Sequence, residues 1–489
     1  MIEGVLLALT PANLMFALLG VVLGASVGAI PGLTATLGIA LAVPVTFVMA
    51  PEAGMIMLSG IYAGGIYGGA ITAVLINIPG APGSIPTMWD GYPLTQQGRP
   101  TLALTAAAIA SAIGGVVSGV VLFTLSPIVA RLALQLGPAE YTAMVIFGLV
   151  AVTIMLDRRL LMSLTATFVG LSMSLVGIDP ITGTSRFTFG MFQLTGGLGI
   201  VPVLVGVFCM TEAVRIAWVS FRGGEARTSI TRGGERFGLA GLKANRWNLT
   251  RSSALGTGVG ILPAMGPEST PFISYILAKR ASKRPEEFGN GSVEGLVAAE
   301  SANNANVGGS LIPLLTLGIP GSGAAAVFVG ALTLHGLRPG PMLFVEQRPL
   351  MYALFTGFIV VNLFMLVLGL AFVRQFALIL RIPKAVLASL VALFAIVGTY
   401  AMGANTFDVT VMLASAALAA LLVFLKVPLA PLVLGLILGP LLEVNLSRAL
   451  SMSRGSLDIF FTSPVVLVVL ALTVLMLWWS RRMPGGRSV

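Results

Sequence analysis

Four clusters of polar side chains interrupt long apolar runs in this chain, and their residue types suit the holding of an anion and a small cation. The first cluster holds Gly32, Thr34 and Thr36, with Thr46 beyond, and the second holds Asn77, Pro79, Gly80 and Ser84, flanked by Thr72 and Thr87. The third is Glu268, Ser269, Thr270 and Ser274. The fourth and densest runs Glu300-Ser301-Ala302-Asn303-Asn304-Ala305-Asn306, then Ser310, Thr316, Pro320, Gly321 and Ser322. Polar groups in such surroundings cost several kcal/mol unless they are paired or wet. A Pro-Gly pair stops one helix and turns the chain. The next helix then begins with free N–H groups and about half a positive charge, which suits a carboxylate. Backbone N–H groups after Gly32, Gly80 and Gly321 are the expected anion donors. Unwound carbonyls with Asn and Thr oxygens suit Na⁺. The competing use of the same Asn, Ser and Thr side chains is to cap broken helices.

The elements that must position these residues are interrupted membrane helices. The breaks read GASVGAIPGLTAT at Gly24–Thr36, LINIPGAPGS at Leu75–Ser84, GTGVGILPAMGPEST at Gly256–Thr270 and LTLGIPGSG at Leu315–Gly323. In lipid the freed N–H and C=O groups would have no partner, so such breaks survive only against protein or a wet cavity. Matching interruptions in two halves of a membrane chain point to a transport site. Of the 489 residues 56% are hydrophobic and only 9% charged. That charge is too little to cover a soluble surface, and the continuous apolar runs exclude the alternation of a membrane β-barrel. The predicted fold is an all-α polytopic membrane protein of about 10–12 spans, in two related halves, an inverted repeat, with broken or re-entrant helices at the Pro-Gly motifs.

The predicted spans are Leu14–Ile30, Leu37–Met49, Met55–Ile78, Leu102–Leu136, Tyr141–Leu156, Leu160–Val176, Leu194–Val219, Ser253–Leu277, Val297–Leu317, Ala324–Leu334, Leu350–Leu380, Ala385–Met402, Val409–Leu425, Leu429–Leu442 and Pro464–Ser480. Several are too short to cross alone. This divides the chain into a membrane half over 1–219 with breaks at 28–36 and 77–87, a basic cytoplasmic linker over 220–251, and a second half over 252–489 with breaks at 260–270 and 300–323. The basic stretches Arg158–Arg159, Phe221–Arg251, Arg381–Lys384 and Arg481–Arg487 belong on the cytoplasmic side, and the Lys279–Arg284 cluster with them. Ser253–Leu277 should then enter and leave on one side, bent at Pro263 and Pro267. Gly24-x-x-x-Gly28-x-x-Pro31 recurs as Gly256-x-x-x-Gly260-x-x-Pro263, and Ile78-Pro79-Gly80 as Ile319-Pro320-Gly321. Read alone, glycines at i and i+4 are a close-packing device; their recurrence in the same order in both halves favours a repeat.

The net charge of +10 lies in short loops, without the aromatic interleaving of a nucleic-acid surface, so no nucleic-acid partner is expected. The N-terminus lacks a signal-peptide pattern, so Met1 is expected to stay on the mature chain. Cys209, the single cysteine, reads as a packing residue, and no cofactor or resident metal is expected beyond a transient Na⁺. Asp90, in TMWDGYP, reads as a turn former, and His335 as a turn residue. Glu268 and Glu300 could each carry a coupling proton or pair with a base. The chain has no Gly-x-Ser-x-Gly, His-Glu-x-x-His or phosphate-loop motif, so it reads as non-enzymatic, with an intramembrane hydrolase using His335 as a remote alternative.

At these motifs the chain resembles the large membrane subunit of the tripartite tricarboxylate transporters. The resemblance rests on GAIPGLTAT (Gly28–Thr36), GIYAGGIYGGAITAVLINIPGAPGS (Gly60–Ser84), DGYPLTQQGR (Asp90–Arg99), LGPAEY (Leu136–Tyr141), YILAKRASKRPEEFGNGSVEG (Tyr275–Gly295), AAESANNANVGGSLIPLLTLGIPGS (Ala298–Ser322) and HGLRPGP (His335–Pro341). It implies a multi-pass secondary carrier for organic carboxylates in a bacterial inner membrane, coupled to a Na⁺ or H⁺ gradient. It also implies two partners, a small membrane subunit and a periplasmic solute-binding protein. An uncoupled channel for small anions is the alternative. One departure stands out: where the family usually reads close to Leu-Pro-Gly-x-Gly-Ala, this chain reads Leu262-Pro263-Ala264-Met265-Gly266-Pro267-Glu268.

Overall fold

A computed structural model describes residues 1–156, 160–221, 235–262, 266–372 and 383–482. Most of it is helical; among the described residues the strands are a two-residue antiparallel pair, Gly177–Ile178 with Ser185–Arg186. Among the described residues, eight helices are long and apolar enough to cross a membrane, and five shorter apolar helices accompany them. The run predicted over Leu102–Leu136 is one helix, Pro100–Ala133, and the run over Leu429–Leu442 continues to Met452. The expected bend at Pro263, the Arg158–Arg159 loop, residues 222–234 of the basic linker, Arg381–Ile382 and the tail beyond Arg482 lie outside the described residues; the end of the linker is helical, in Leu239–Ala244 and the start of Arg246–Ile261.

Each half is built on the same sequence of elements. The first has a hairpin (Pro11–Gly28 and Ala35–Thr46), a central helix (Pro51–Ile76), a short helix (Ile85–Gln96) and a brace helix (Pro100–Ala133). The second has a hairpin (Arg246–Ile261 and Thr270–Ala281), a central helix (Val293–Leu317), a short helix (Gly323–Leu334) and a brace helix (Arg348–Ala371).

Contacts give the directions. A Cβ on Gly20, Gly24 or Gly28 would strike the carbonyl oxygens of Met57, Ile61 and Gly65 in turn, so the first hairpin arm runs parallel to its central helix with the backbones touching. The return arm runs back, since Ala35 meets Gly65 and Gly38 meets Ile61. The second hairpin repeats this. Gly256 lies on Ala302 and Gly260 on Asn306, while Thr270 meets Asn306 and Ser274 meets Ala298. Both hairpins therefore enter and leave on one side.

The halves are opposed in direction. The first central helix runs parallel to the second brace, Ile56 meeting Gly357 and Tyr67 meeting Gly369. That brace is antiparallel to the second central helix, with Phe358 on Gly308 and Met365 on Asn304. The second central helix in turn runs parallel to the first brace, where Gly114 meets Ser301 and Ser118 meets Gly308. Each central helix thus packs on the brace of the other half.

Asp90 departs from its sequence reading. TMWDGYP is not a turn but part of the Ile85–Gln96 helix, and Asp90 is fully buried. Its Oδ1 accepts the N–H groups of Gly289 (2.8 Å), Gly291 (3.0 Å) and Ser292 (2.8 Å), tying the first half to the loop before the second central helix. The tertiary fold supplies backbone donors 200 residues away in sequence, a need that no local propensity signals.

Candidate functional site

The four breaks meet. The first central helix stops at Asn77, which takes the left-handed conformation (φ 56°), and the second stops at Gly318 (φ 74°), each just ahead of Ile-Pro-Gly. After each break a helix of twelve residues begins, and so does one after each hairpin tip: Ala35–Thr46, Ile85–Gln96, Thr270–Ala281 and Gly323–Leu334. Twelve residues span about 18 Å, some three fifths of a hydrocarbon core of about 30 Å. These are half-helices, each with its N-terminal end inside the protein.

Those ends surround one cavity of about 30 Å³, walled by Thr34, Ala35 and Thr36, by Ala81, Pro82 and Gly83, by Pro267 and Glu268, and by Ser322 and Ala324, with Ile66 and Asn303 from the central helices. Two of the ends are closed by their own side chains. Thr34 Oγ1 accepts the Leu37 N–H at 3.4 Å, and Ser322 Oγ accepts that of Ala325 at 3.1 Å. Tyr62 fixes Ser322 from the first half, its hydroxyl 2.9 Å from Ser322 Oγ and 3.3 Å from Ser310 Oγ. Asn303, although buried, leaves Oδ1 without a hydrogen-bond partner, and Gly83 comes close enough that a Cβ there would lie 3.0 Å from that oxygen. The four positive helix ends favour a ligand that carries negative charge, whereas the unengaged Asn303 Oδ1 is an acceptor and suits a cation or a donor group.

The residues singled out from sequence divide into three groups. Thr34, Thr36, Glu268, Asn303 and Ser322 line the cavity. Gly32, Pro79, Gly80, Ser84, Ser269, Pro320 and Gly321 form the turns behind it. Gly80 folds back so that its N–H reaches Gly69 O at 3.4 Å, Ser84 lies against Gly69, and Ser269 precedes the first turn of Thr270–Ala281. Asn77, Glu300, Ser301 and Asn304 sit elsewhere. Asn77 is an exposed helix stop. Glu300 is buried between elements, accepting the Thr87 hydroxyl at 2.5 Å and the Ser111 hydroxyl at 2.7 Å. Ser301 pairs with Ser253 at 2.7 Å, and Asn304 Nδ2 donates to Ala63 O at 3.2 Å. The polar-rich stretch is helical, so its side chains radiate in several directions and Asn303 is the one that reaches the cavity.

Arg215 is a residue that the sequence reading missed. Its guanidinium lies against Gly32 at the tip of the first hairpin, where a Cβ would collide with Nη2, and its Nε donates to Glu212 Oε2 at 2.8 Å. A Glu-x-x-Arg pair in an otherwise apolar helix was the available signal. His335, by contrast, caps the far end of Gly323–Leu334 beside Gly54 and Thr46, a full half-helix away from the cavity.

Two uncharacterized proteins of Agrobacterium vitis are similar. The 52.8 kDa protein of the TAR-I ttuC′ 3′ region is 39% identical over 469 residues, 95% of this chain and 92% of its own length. A protein of the TAR-II ttuC′ 3′ region is 40% identical over 217 residues, 44% of this chain and 90% of its own length. No solved structure matches. Residues 14–434, which hold all four breaks, both central helices and both braces, match the profile of a membrane-transporter family, and on that coverage the chain belongs to the tripartite tricarboxylate transporter TctA family.

Proposed function

We propose that this chain is the permease of a binding-protein-dependent secondary transporter that takes up organic carboxylates across a bacterial inner membrane. Cation coupling and alternating access between its opposed halves complete the reading. The observation that carries it is the convergence of four half-helix N-termini on one interior cavity, beside an unengaged Asn303. The cavity's 30 Å³ is room for about one water molecule, so a di- or tricarboxylate requires its walls to part. That supports a cycle in which the site opens to one side at a time, against a standing channel. Glu268, Thr34, Thr36 and the first-turn backbone would contact substrate or ion. A periplasmic solute-binding protein and a small membrane subunit are the proposed partners, following the tripartite character of the family.

The test is uptake into proteoliposomes holding this chain with its neighbouring small membrane subunit and binding protein, with Na⁺ and pH gradients set separately. Uptake that needs one gradient and the binding protein is expected. Flux indifferent to both gradients would sink coupling in favour of the channel.

A further inference from the structure

We infer that a groove at the basic-loop end of the molecule holds the headgroup of an anionic phospholipid. The groove has a volume of about 750 Å³ and lies where three elements meet. Trp89 comes from the first short helix, Tyr275, Ile276, Lys279 and Arg280 from the return arm of the second hairpin, and Phe288 from the loop that Asp90 ties down. Its aromatic wall is braced: Trp89 stands edge-on to Tyr275 at 5.0 Å between ring centres, and Tyr275 to Phe288 at 5.3 Å.

The charges in the groove are uncompensated. Arg284 pairs with Glu287 at 2.9 Å, and Glu294 takes the Ser282 hydroxyl at 2.5 Å, but among the described residues no carboxylate lies within 4.0 Å of Lys279 or Arg280. Both are exposed over an apolar floor. The same helix then presents Ile273, Ile276 and Leu277 outward, 37–48% exposed, in continuity with the groove. Two cations at a helix end, a partly exposed tryptophan and an apolar track running away from them match an amphiphile with an anionic head. A free anion would leave the aromatic wall and the track without a role. The groove joins two half-helices, Ile85–Gln96 and Thr270–Ala281, whose N-terminal approaches wall the cavity, so a lipid there would hold those walls together; that consequence rests on the transport reading, whereas the binding does not.

The test uses the full chain in phosphatidylcholine vesicles doped with brominated phosphatidylglycerol or brominated phosphatidylcholine. Subtracting the fluorescence of a Trp89→Phe variant isolates Trp89. Quenching of Trp89 on the order of tenfold stronger by the anionic lipid is expected, from two basic residues at the surface. Lys279→Gln with Arg280→Gln should abolish that preference while leaving quenching by brominated phosphatidylcholine, and Lys243→Ala should change nothing. Equal quenching by the two lipids in the unaltered protein overturns the inference, as does a preference that survives the double substitution. Full displacement of the lipid by soluble glycerol phosphate would show a free-anion site instead.

Discussion

The two halves share their architecture and differ in what they bring to the cavity. The first central helix, with its Gly60–Gly69 stretch, contributes close backbone contact and one ordering hydroxyl, Tyr62. The second carries Glu300, Ser301, Asn303, Asn304 and Asn306 along one buried stretch. Repetition therefore preserves the half-helix ends, whose partial charges come from the backbone and need no particular side chain. Side chains are free to diverge, and most of the second half's polar groups serve packing. Asn304 bonds to the first half, Asn306 donates to Thr270 at 2.8 Å, and Glu300 clamps the Ile85–Gln96 helix beside the first brace.

The sharpest way to break this comparison is to attack the architecture in both halves. Gly28→Leu and Gly260→Leu would each force a hairpin off its central helix, by overlap with Gly65 O in one case and with Asn306 O and Gly309 Cα in the other. Each should destabilise by about 3 kcal/mol or more, read as loss of a monodisperse peak after detergent extraction. A well-folded Gly28→Leu beside a lost Gly260→Leu would show that the halves are not equivalent in packing.

Next comes the division among the asparagines. Asn303→Ala should lower carboxylate uptake by roughly tenfold, the scale of one lost hydrogen bond to a charged group, without moving the melting temperature. Asn304→Ala should do the opposite. Loss of its bond to Ala63 O costs about 1–2 kcal/mol of stability, seen as a lower melting temperature with uptake persisting. If both variants behaved alike in both assays, the separation of site from packing would fail.

A smaller effect is expected at the joint between halves. Asp90→Asn weakens three backbone hydrogen bonds to a charged acceptor, so the 284–292 loop should exchange its amide protons faster, by about 1.5–3 kcal/mol of opening free energy. Unchanged exchange at Gly289, Gly291 and Ser292 would refute the clamp.

The smallest prediction lies outside the repeated core of either half. The Ile181 and Thr182 N–H groups, at 2.8 and 3.2 Å, hold the Asp179 carboxyl below its ordinary range, and Arg186 at 3.5 Å adds to this. A lowered carboxylate stabilises its loop above the ordinary value of about 4 and loses that contribution as pH falls through the lowered value. Proteolysis of the 177–199 loop should therefore quicken only in acid, and Asp179→Asn should flatten that dependence.

Much of the fold was legible because a membrane restricts the choices. Long apolar runs must be helices, and an Ile-Pro-Gly in such a run must be a protected break. The Gly-x-x-x-Gly-x-x-Pro motif at Gly24 and again at Gly256 announced the repeat, and the hairpin form of Ser253–Leu277 followed from its basic flanks. The site was legible as a set of segments and not as residues. Thr34, Thr36, Glu268, Asn303 and Ser322 were among the candidates and line the cavity, while Asn77, Glu300, Ser301 and Asn304 carried the same sequence signal and turned elsewhere. Arg215 was passed over and Asp90 misread because what they meet, Gly32 and the Gly289–Ser292 backbone, is remote in sequence.

The sequence by itself determined that the chain is helical, membrane-embedded, broken at four places and repeated in order. Each of these follows from local composition and from the cost of an unpaired backbone group in lipid. The inverted relation of the halves was already an expectation from the repeat; only the tertiary structure decided which helices pack together to realise it, how the four breaks wall one cavity, and which asparagine points into it. A helix rotates its side chains by about 100° per residue, so neighbours such as Asn303 and Asn304 face different partners, and only the helices packed around them determine which is the wall and which is the seam.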